Sequence, residues 1–292
     1  MARRRRRAGA VTALGAYGPL GGSATALRRR ALSVLVVGAL AALPLAACAA
    51  DDEPEPISPD RASAAVSATT VGRGVVQVES GLQYTHESIG GSPAQRRFSV
   101  QLAVRGGVTD RLEFGIDGEP VVSLSGAEDA TNIGVLTLNA KWVFFDSPEG
   151  SPWPTLGLQP QVTLPVAREP IDSGKFAFGA LLLASFDLPA AFSLDFNAGV
   201  GARGQSSGGY LAQTQAALGL SRDVTRTLQL FTDLSFASRD ERHGRSSLGY
   251  DAGVVWWPTP NVAIDASFVT SLVGQGPDWG FRSGVSVRFG HH

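Results

Sequence analysis

Residues 247–289 have the sequence SLGYDAGVVWWPTPNVAIDASFVTSLVGQGPDWGFRSGVSVRF, and this stretch decides the fold. Apolar side chains occupy almost every second position in three consecutive segments, 248–256, 262–268 and 281–289. Turns rich in proline and glycine separate the segments. Alternation with a period of two places the apolar side chains on one face of a strand and the polar ones on the other. The stretch therefore predicts three strands of about ten residues, the length that a tilted strand needs to cross a bilayer.

The same alternation recurs nine times earlier in the chain. The nine apolar rows begin at Val76, Phe98, Leu112, Leu136, Leu156, Phe176, Phe192, Tyr210 and Leu228. In the sixth row both faces are apolar, so polarity does not mark which side faces lipid. Together with the three C-terminal strands the rows make twelve, and bacterial barrels built from one chain have an even number of strands. We predict an all-β fold, a closed antiparallel transmembrane β-barrel of about 12 strands over residues 74–290.

Charged residues in the predicted strands all lie on the face opposite the apolar rows. A Lys or Arg on the lipid face at mid-bilayer costs about 2–4 kcal/mol, so a membrane would enforce this separation. A soluble sandwich also separates the two classes, but its apolar rows face each other in a dry core. We expect the following side chains to line the lumen and to contact a ligand there: Glu79, Arg105, Glu113, Lys141, Arg203, Asp251, Asp265 and Arg282.

Amides accompany charges of both signs on the predicted inner face. With a turn centred on Thr109, antiparallel pairing places Arg105 directly opposite Glu113, and Gln101 opposite Asp117. Such pairs predict a narrow lumen, cross-linked by side chains, that conducts with a slight preference for cations. The alternative is that the same charges pack the interior and leave no conducting path. The sequence leaves both interpretations open.

The N-terminal 49 residues differ from the rest of the chain in charge. Eight of the 25 basic residues precede Cys48 and no acidic residue does, so 17 basic residues face 26 acidic ones beyond it. Arginines followed by the apolar run 31–40 predict a secretory signal peptide, not a nucleic-acid-binding patch. Residues 45–48 match a lipobox in which Cys48 is lipidated, but 47–49 also match an ordinary cleavage site, and both remain open. The acidic, proline-rich residues 50–73 predict a disordered periplasmic linker that cannot bury a core.

Several short motifs, in their order along the chain, resemble a known family. They are Pro59-Asp60-Arg61, residues 74–81, 107–115, Leu164-Pro165, residues 253–265 and 276–289. The pattern, over about residues 57–289, is similar to the transporter family named for the MetA pathway of phenol degradation. This resemblance implies a β-barrel in the outer membrane of a Gram-negative bacterium. It also implies a channel or transporter for small hydrophobic or aromatic molecules.

The predicted location sets the expected partners. After export by the signal peptide, we expect the barrel assembly machinery to insert the chain among outer-membrane lipid and lipopolysaccharide, and a small apolar or aromatic solute to bind. We expect no nucleic-acid partner and no cofactor. We also expect no metal, because the His, Cys and carboxylate residues do not follow metal-ligand spacing.

Two other function classes compete with a channel. One is a barrel-type outer-membrane hydrolase, and the other is a structural or adhesive barrel with a plugged lumen. A hydrolase needs a nucleophile, a base and an acid within hydrogen-bond reach of one another. His86, on the outward face of the first strand, has no evident partners of that kind, so we predict a protein that is not an enzyme. Five tryptophans near predicted strand ends indicate an aromatic girdle: Trp142, Trp153, Trp256, Trp257 and Trp279.

Overall fold

A computed structural model describes residues 56–89, 93–148 and 150–290, and these form thirteen strands. The strands are β1 Val76–Glu87, β2 Gln95–Thr109, β3 Leu112–Ser125, β4 Ala130–Asn132, β5 Leu136–Phe145, β6 Thr155–Leu164, β7 Ala177–Leu188, β8 Phe192–Gly204, β9 Tyr210–Thr225, β10 Leu228–Ala237, β11 Ser247–Thr259, β12 Val262–Gly274 and β13 Trp279–Phe289. Within these ranges there is no helix long and apolar enough to span a bilayer. The predicted signal peptide, Cys48 and residues 50–55 lie outside the described residues.

Twelve of the strands close into a barrel. Each pairs antiparallel with its neighbours in chain order, β3 pairs with β5, and β1 pairs with β13 from Val76↔Phe289 to His86↔Trp279. β4 pairs only with the outer part of β3, where it folds the long connection to β5 back on the wall. Closure pairs every edge of the sheet. The predicted closed antiparallel barrel of twelve strands is confirmed.

The two faces of the wall have opposite character. Large apolar side chains point outward along every strand of the barrel, among them Phe114, Leu182 and Phe281, which are 53%, 46% and 56% exposed. Glu113 and Lys141 point inward and are almost fully buried. This arrangement is the reverse of a soluble sandwich, and it confirms the predicted separation. On β7 the inward face is apolar as well, since Leu183 is completely buried.

The β2–β3 hairpin differs from the prediction by two residues in register. Its turn lies at Asp110 and Arg111, and Arg105 pairs with Gly115. Because the turn lies beyond Thr109, the partners on β3 move by three residues, and a bulge between Gly107 and Thr109, which adds one residue to β2, reduces this shift to two. The predicted pairing of Arg105 opposite Glu113 is therefore wrong, although Arg105 Nη1 still reaches Glu113 Oε1 at 3.4 Å along the diagonal. Gln101 opposite Asp117 is wrong for the same reason, since Asp117 pairs with Ala103.

Residues 56–75, which we call the plug segment, run through the barrel interior without regular secondary structure. Every third residue is buried: Ala62, Ala65, Ala68 and Val71. Ile57 N donates to Pro260 O in the β11–β12 turn at 3.0 Å, and Gly74 N donates to Gly107 O beside the β2–β3 turn at 2.9 Å. The segment thus enters and leaves at the end of the barrel with the short turns, which is the periplasmic end in barrels of this class.

The plug segment overturns the prediction of a disordered linker for residues 56–73. As its composition predicts, the segment has no core of its own. The lumen wall, however, supplies polar partners for its backbone and apolar contacts for its small side chains, so the segment is buried without a core of its own.

Candidate functional site: the plug segment and the lumen wall

Asp60 of the plug segment is bound by two cations of the wall. Its Oδ2 atom lies 2.8 Å from Arg105 Nη1 and 2.7 Å from Lys141 Nζ. Both cations also contact Glu113, at 3.4 and 3.5 Å, and Arg105 contacts Glu79 at 2.9 Å. The four wall side chains are almost fully buried. Because a buried charge is tolerated only when it is paired and hydrogen-bonded, Asp60 is an integral member of this network.

The adjacent residue, Arg61, carries the opposite charge and binds a neighbouring part of the wall, formed by β1, β13 and β12. Its guanidinium forms an ion pair with Asp265 of β12, and its side chain is only 7% exposed. The guanidinium lies above Gly81 and Gly284, which face each other across β1 and β13. A Cβ atom at either glycine would overlap it. Two consecutive residues of the plug segment thus bind basic and acidic groups of the wall at the same time.

The wall also satisfies the backbone of the plug segment. Carboxylate, amide and hydroxyl side chains of five strands act as acceptors for its N–H groups. These hydrogen bonds run from Arg61 N to Glu79 Oε2 (2.9 Å), Ala64 N to Asp233 Oδ2 (3.2 Å), Val66 N to Asn197 Oδ1 (2.7 Å), Ala68 N to Ser185 Oγ (2.8 Å) and Val71 N to Glu113 Oε2 (2.8 Å). Irregular backbone inside a membrane barrel needs such partners, since unsatisfied groups cost several kcal/mol there.

A small apolar cluster holds the plug segment at its entry. Ile57 packs among Phe231, Val255 and Trp257. Trp257 Nε1 donates a hydrogen bond to Ile57 O at 2.9 Å. The prediction that Trp257 belongs to the aromatic girdle is therefore wrong, because its indole faces the lumen and is 7% exposed. The other four tryptophans are exposed at the barrel surface.

The eight residues predicted to line the lumen fall into three groups. Glu79, Arg105, Glu113 and Lys141 gather around Asp60, and Asp265 joins them through Arg61. Asp251 and Arg282 form a separate ion pair that links β11 and β13. Arg203 pairs with Asp172 in the outer β6–β7 connection. That these residues contact a ligand stays a prediction.

Sequence reasoning missed the plug residues Asp60 and Arg61 and the wall residues that bind the plug backbone. Two signals were available. The small residues Ala62, Ala65 and Ala68 recur with a period of three, which suits a chain packed on all sides. The lumen-facing acids also outnumber the lumen-facing bases, so some of these acids need partners other than wall bases.

Two cavities border the plug segment in the described part of the lumen. The larger one, about 1010 Å³, lies on the periplasmic side, between the plug segment and the lower ends of β7 to β11. The smaller one, about 390 Å³, lies above Asp60 and Arg61 against the middle of β2, β3, β5 and β6. Asp60, Ser63 and Arg105 border both cavities. Asp60 therefore belongs to the partition between the two cavities.

His86 was the one candidate for a catalytic group on the barrel surface. It stacks on Trp279 with ring centroids 5.3 Å apart and planes inclined by 8°. Its Nδ1 atom lies 3.9 Å from an Asp278 oxygen, which is too far for a hydrogen bond, and has no partner among the described residues. This geometry anchors an aromatic pair at the outer rim and does not assemble a nucleophile with a base.

Solved structures with a similar fold are membrane barrels. An outer membrane channel from Pseudomonas putida F1 superposes with a TM-score of 0.60 at 15% sequence identity, covering 80% of this chain and 100% of that one. The KdgM porin gives a TM-score of 0.44 at 8% identity, covering 72% of this chain and 99% of that one. At 15% identity the first likeness shows a shared fold, in agreement with the closed wall and its apolar exterior.

Comparison with curated proteins gives no significant match. The family described as "Putative MetA-pathway of phenol degradation" matches residues 59–289, which begin at Pro59 and end at the last residue of β13. The match thus includes Asp60, Arg61 and all twelve strands of the barrel. The chain is an outer-membrane β-barrel and belongs to this family.

Proposed function

We propose that the protein is a channel through which small, largely apolar molecules cross the outer membrane, with the plug segment restricting the passage. The observation that carries this proposal is the pair of cavities that meet at Asp60, Ser63 and Arg105. A barrel that served only as a scaffold would gain nothing from cavities of about 1010 and 390 Å³ on either side of a thin partition. Both volumes lie in the range of ligand sites, about 300–1,000 Å³.

Two facts support small aromatic or hydrophobic molecules as the solute. The family name refers to phenol degradation. The periplasmic cavity also offers an apolar side, formed by Ile57, Phe231 and Trp257, beside the carboxylates of Asp195 and Asp223. A molecule with one apolar and one polar side would contact both.

A structural barrel with a plugged lumen is the second candidate. It is favoured by the number of contacts that hold the plug segment, which include the Asp60 and Arg61 ion pairs and five backbone hydrogen bonds. Transport through the barrel requires the plug segment to shift at least locally, whereas a purely structural barrel requires no such movement.

Conductance in planar bilayers and solute-driven swelling of proteoliposomes test the proposal. The full chain is compared with the double variant Asp60→Ala/Arg61→Ala, which removes the three ion pairs that these residues form with the wall. We expect small currents and slow entry of benzyl alcohol for the full chain, and an increase of several-fold in both for the variant. If neither protein passes ions or solute although both are folded in the bilayer, the structural barrel is the correct interpretation.

A further inference from the structure

Strand β2 begins before its predicted apolar row, and this extension carries an arginine on the outward face of the barrel. The strand starts at Gln95, three residues before Phe98. Arg96 pairs directly opposite His86 of β1 and Ser125 of β3, and residues directly opposite each other in a sheet point to the same face. Phe98, two residues further along β2, lies on this face and is 38% exposed. Arg96 therefore projects outward between an imidazole and a hydroxyl group.

Arg96 lies at the outer edge of the apolar band. Its partner His86 is ten residues from Val76, the residue with which β1 begins at the periplasmic end. Ten residues that rise by about 3.4 Å each, in a strand tilted by about 40°, extend about 25 Å along the membrane normal. This is the height of the outward apolar band in barrels of this class. The guanidinium of Arg96 is thus level with the lipid headgroups of the outer leaflet.

The charge of Arg96 is not neutralised by the protein. Its side chain is exposed, and it forms no ion pair within residues 56–89, 93–148 and 150–290. Asp278, which approaches His86 to 3.9 Å, precedes Trp279 on β13, and two interstrand steps of together about 10 Å separate that position from Arg96. Glu128 of the β3–β4 connection bonds to β2 through its backbone. A positive charge without a counter-ion from the described chain therefore stands at headgroup level.

The surface below Arg96, toward the middle of the membrane, is apolar. In the next outward row Tyr84 of β1 pairs with Phe98 of β2 and with Phe281 of β13. Leu82 and Leu102 follow on the same face and are 49% and 41% exposed. The outward face thus changes from cationic to aromatic to aliphatic over a few residues. A phosphorylated lipid has the same order along its length, with an anionic group at one end and acyl chains at the other.

From these observations we infer that the outward face of β1, β2 and β3 is a binding site for a phosphorylated lipid of the outer leaflet. Arg96 donates to the lipid phosphate, and His86 and Ser125 supply donors on either side of it. Arginine suits this role because its planar guanidinium binds phosphate through two parallel hydrogen bonds. The acyl chains lie along Phe98 and Leu82. The inference goes beyond the proposed function, because it concerns the lipid-facing surface and does not depend on conduction.

Native mass spectrometry of the full chain, released from detergent micelles that contain lipid A, tests this site. The reference lipid is dephosphorylated lipid A with the same acyl chains. We expect the phosphorylated form to bind more tightly by about tenfold or more. Arg96→Gln should reduce its affinity to the level of the reference lipid, and Arg96→Lys, which keeps the charge but loses the planar fork, should fall between the two. Arg111→Gln removes the same charge from an exposed position in the periplasmic β2–β3 turn and should leave binding unchanged.

Four results would overturn the inference. They are equal affinity for the two lipids, equal weakening by Arg96→Gln and Arg111→Gln, no retention of lipid A at all, and displacement of lipid A by an excess of inorganic phosphate, which would indicate a site for a free anion. The comparison of the two lipids uses the unaltered protein, so it stands even if a variant does not fold. Lipid binding without conductance removes the proposed channel and keeps the site, whereas conductance without lipid binding removes the site and keeps the channel.

Discussion

Arg61 shows how single residues set the position of the plug segment. Its guanidinium needs space against the wall, and the facing pair Gly81 and Gly284 provides that space by having no side chains. The ion pair with Asp265 then fixes the guanidinium on a side chain that is almost fully buried. Filling the space above these glycines should therefore displace the plug segment as strongly as removing the charge of Arg61.

The first prediction concerns these glycines. Gly81→Val should displace Arg61 and expose the Arg61–Ala62 bond, because a branched side chain there overlaps the guanidinium and overpacking costs about 1–3 kcal/mol. Trypsin cleavage after Arg61, followed by mass spectrometry of the fragments, measures this directly. We expect cleavage to accelerate at least several-fold relative to the unaltered protein.

Gly106→Ala is the matched control, since a Cβ at that position of β2 meets no atom within 4 Å. It should leave the rate of cleavage after Arg61 unchanged. Equal protection of Arg61 in the Gly81→Val variant and in the control would show that the glycine pair does not position the plug segment.

At the scale of the strand, β6 has an interrupted ladder with one of its neighbours. Its ladder with β5 lacks the rows Ala140↔Pro160 and Lys141↔Gln159, whereas its ladder with β7 is continuous through Pro160↔Ala180. Proline has no N–H group. Both missing rows require a hydrogen bond from the N–H of residue 160 to the carbonyl of Ala140 in β5, which proline cannot donate. The carbonyl of Ala140 thus loses its ladder partner at membrane depth, which makes the β5–β6 seam a weak point of the wall.

Pro160→Ala should strengthen this seam. The new N–H group restores a ladder hydrogen bond whose absence costs several kcal/mol in a lipid environment. Proline restricts the unfolded chain, and loss of this restriction lowers the free energy of unfolding by only about 0.4–1 kcal/mol. We therefore expect the free energy of unfolding to rise by at least about 1 kcal/mol in the variant. Urea unfolding from lipid vesicles and amide hydrogen exchange across residues 139–142 measure the gain.

Val162→Ala, two residues further along β6, serves as the comparison because it shortens an outward side chain without adding a donor. It should not slow hydrogen exchange in β5. Unchanged exchange at residues 139–142 in the Pro160→Ala variant would mean that the β5–β6 seam is already satisfied by other contacts.

For the whole molecule, stability depends on keeping two environments apart. Leu218 of β9 points outward and is 42% exposed, whereas Gln215 of the same strand points into the lumen. Leu218→Arg should lower the free energy of unfolding by about 2–4 kcal/mol, as expected for a charge on the lipid face. Gln215→Arg introduces the same group on the other face and should cost less than about 1 kcal/mol.

Equilibrium refolding of both variants into lipid vesicles, followed by intrinsic tryptophan fluorescence, measures the two costs. Similar destabilisation by the two arginines would be incompatible with a wall that has one face in lipid and the other toward a polar lumen.

Much of the wall could be predicted because its determinants are local. Whether Leu218 or Gln215 faces lipid depends only on the parity of its position along a strand. The register of the β2–β3 hairpin could not be predicted, since the turn lies at Asp110 and Arg111, beyond Thr109, and a net shift of two residues leaves the alternation unchanged. Trp257 was misplaced because an indole at a strand end suits either a lipid interface or a buried contact, and only its hydrogen bond to Ile57 O decides between them.

The sequence by itself determined the family, the barrel, its strands and the separation of polar from apolar faces, because a bilayer acts on every second residue and so leaves a repeating pattern. Only the tertiary structure decided the path of residues 56–75. Their small and polar side chains are typical of a disordered segment, and the period of three among the alanines does not show what would cover them. The partners that bury it, such as Asp233, Asn197 and Asp265, lie more than 130 residues away along the chain, and they surround it only once the barrel has closed.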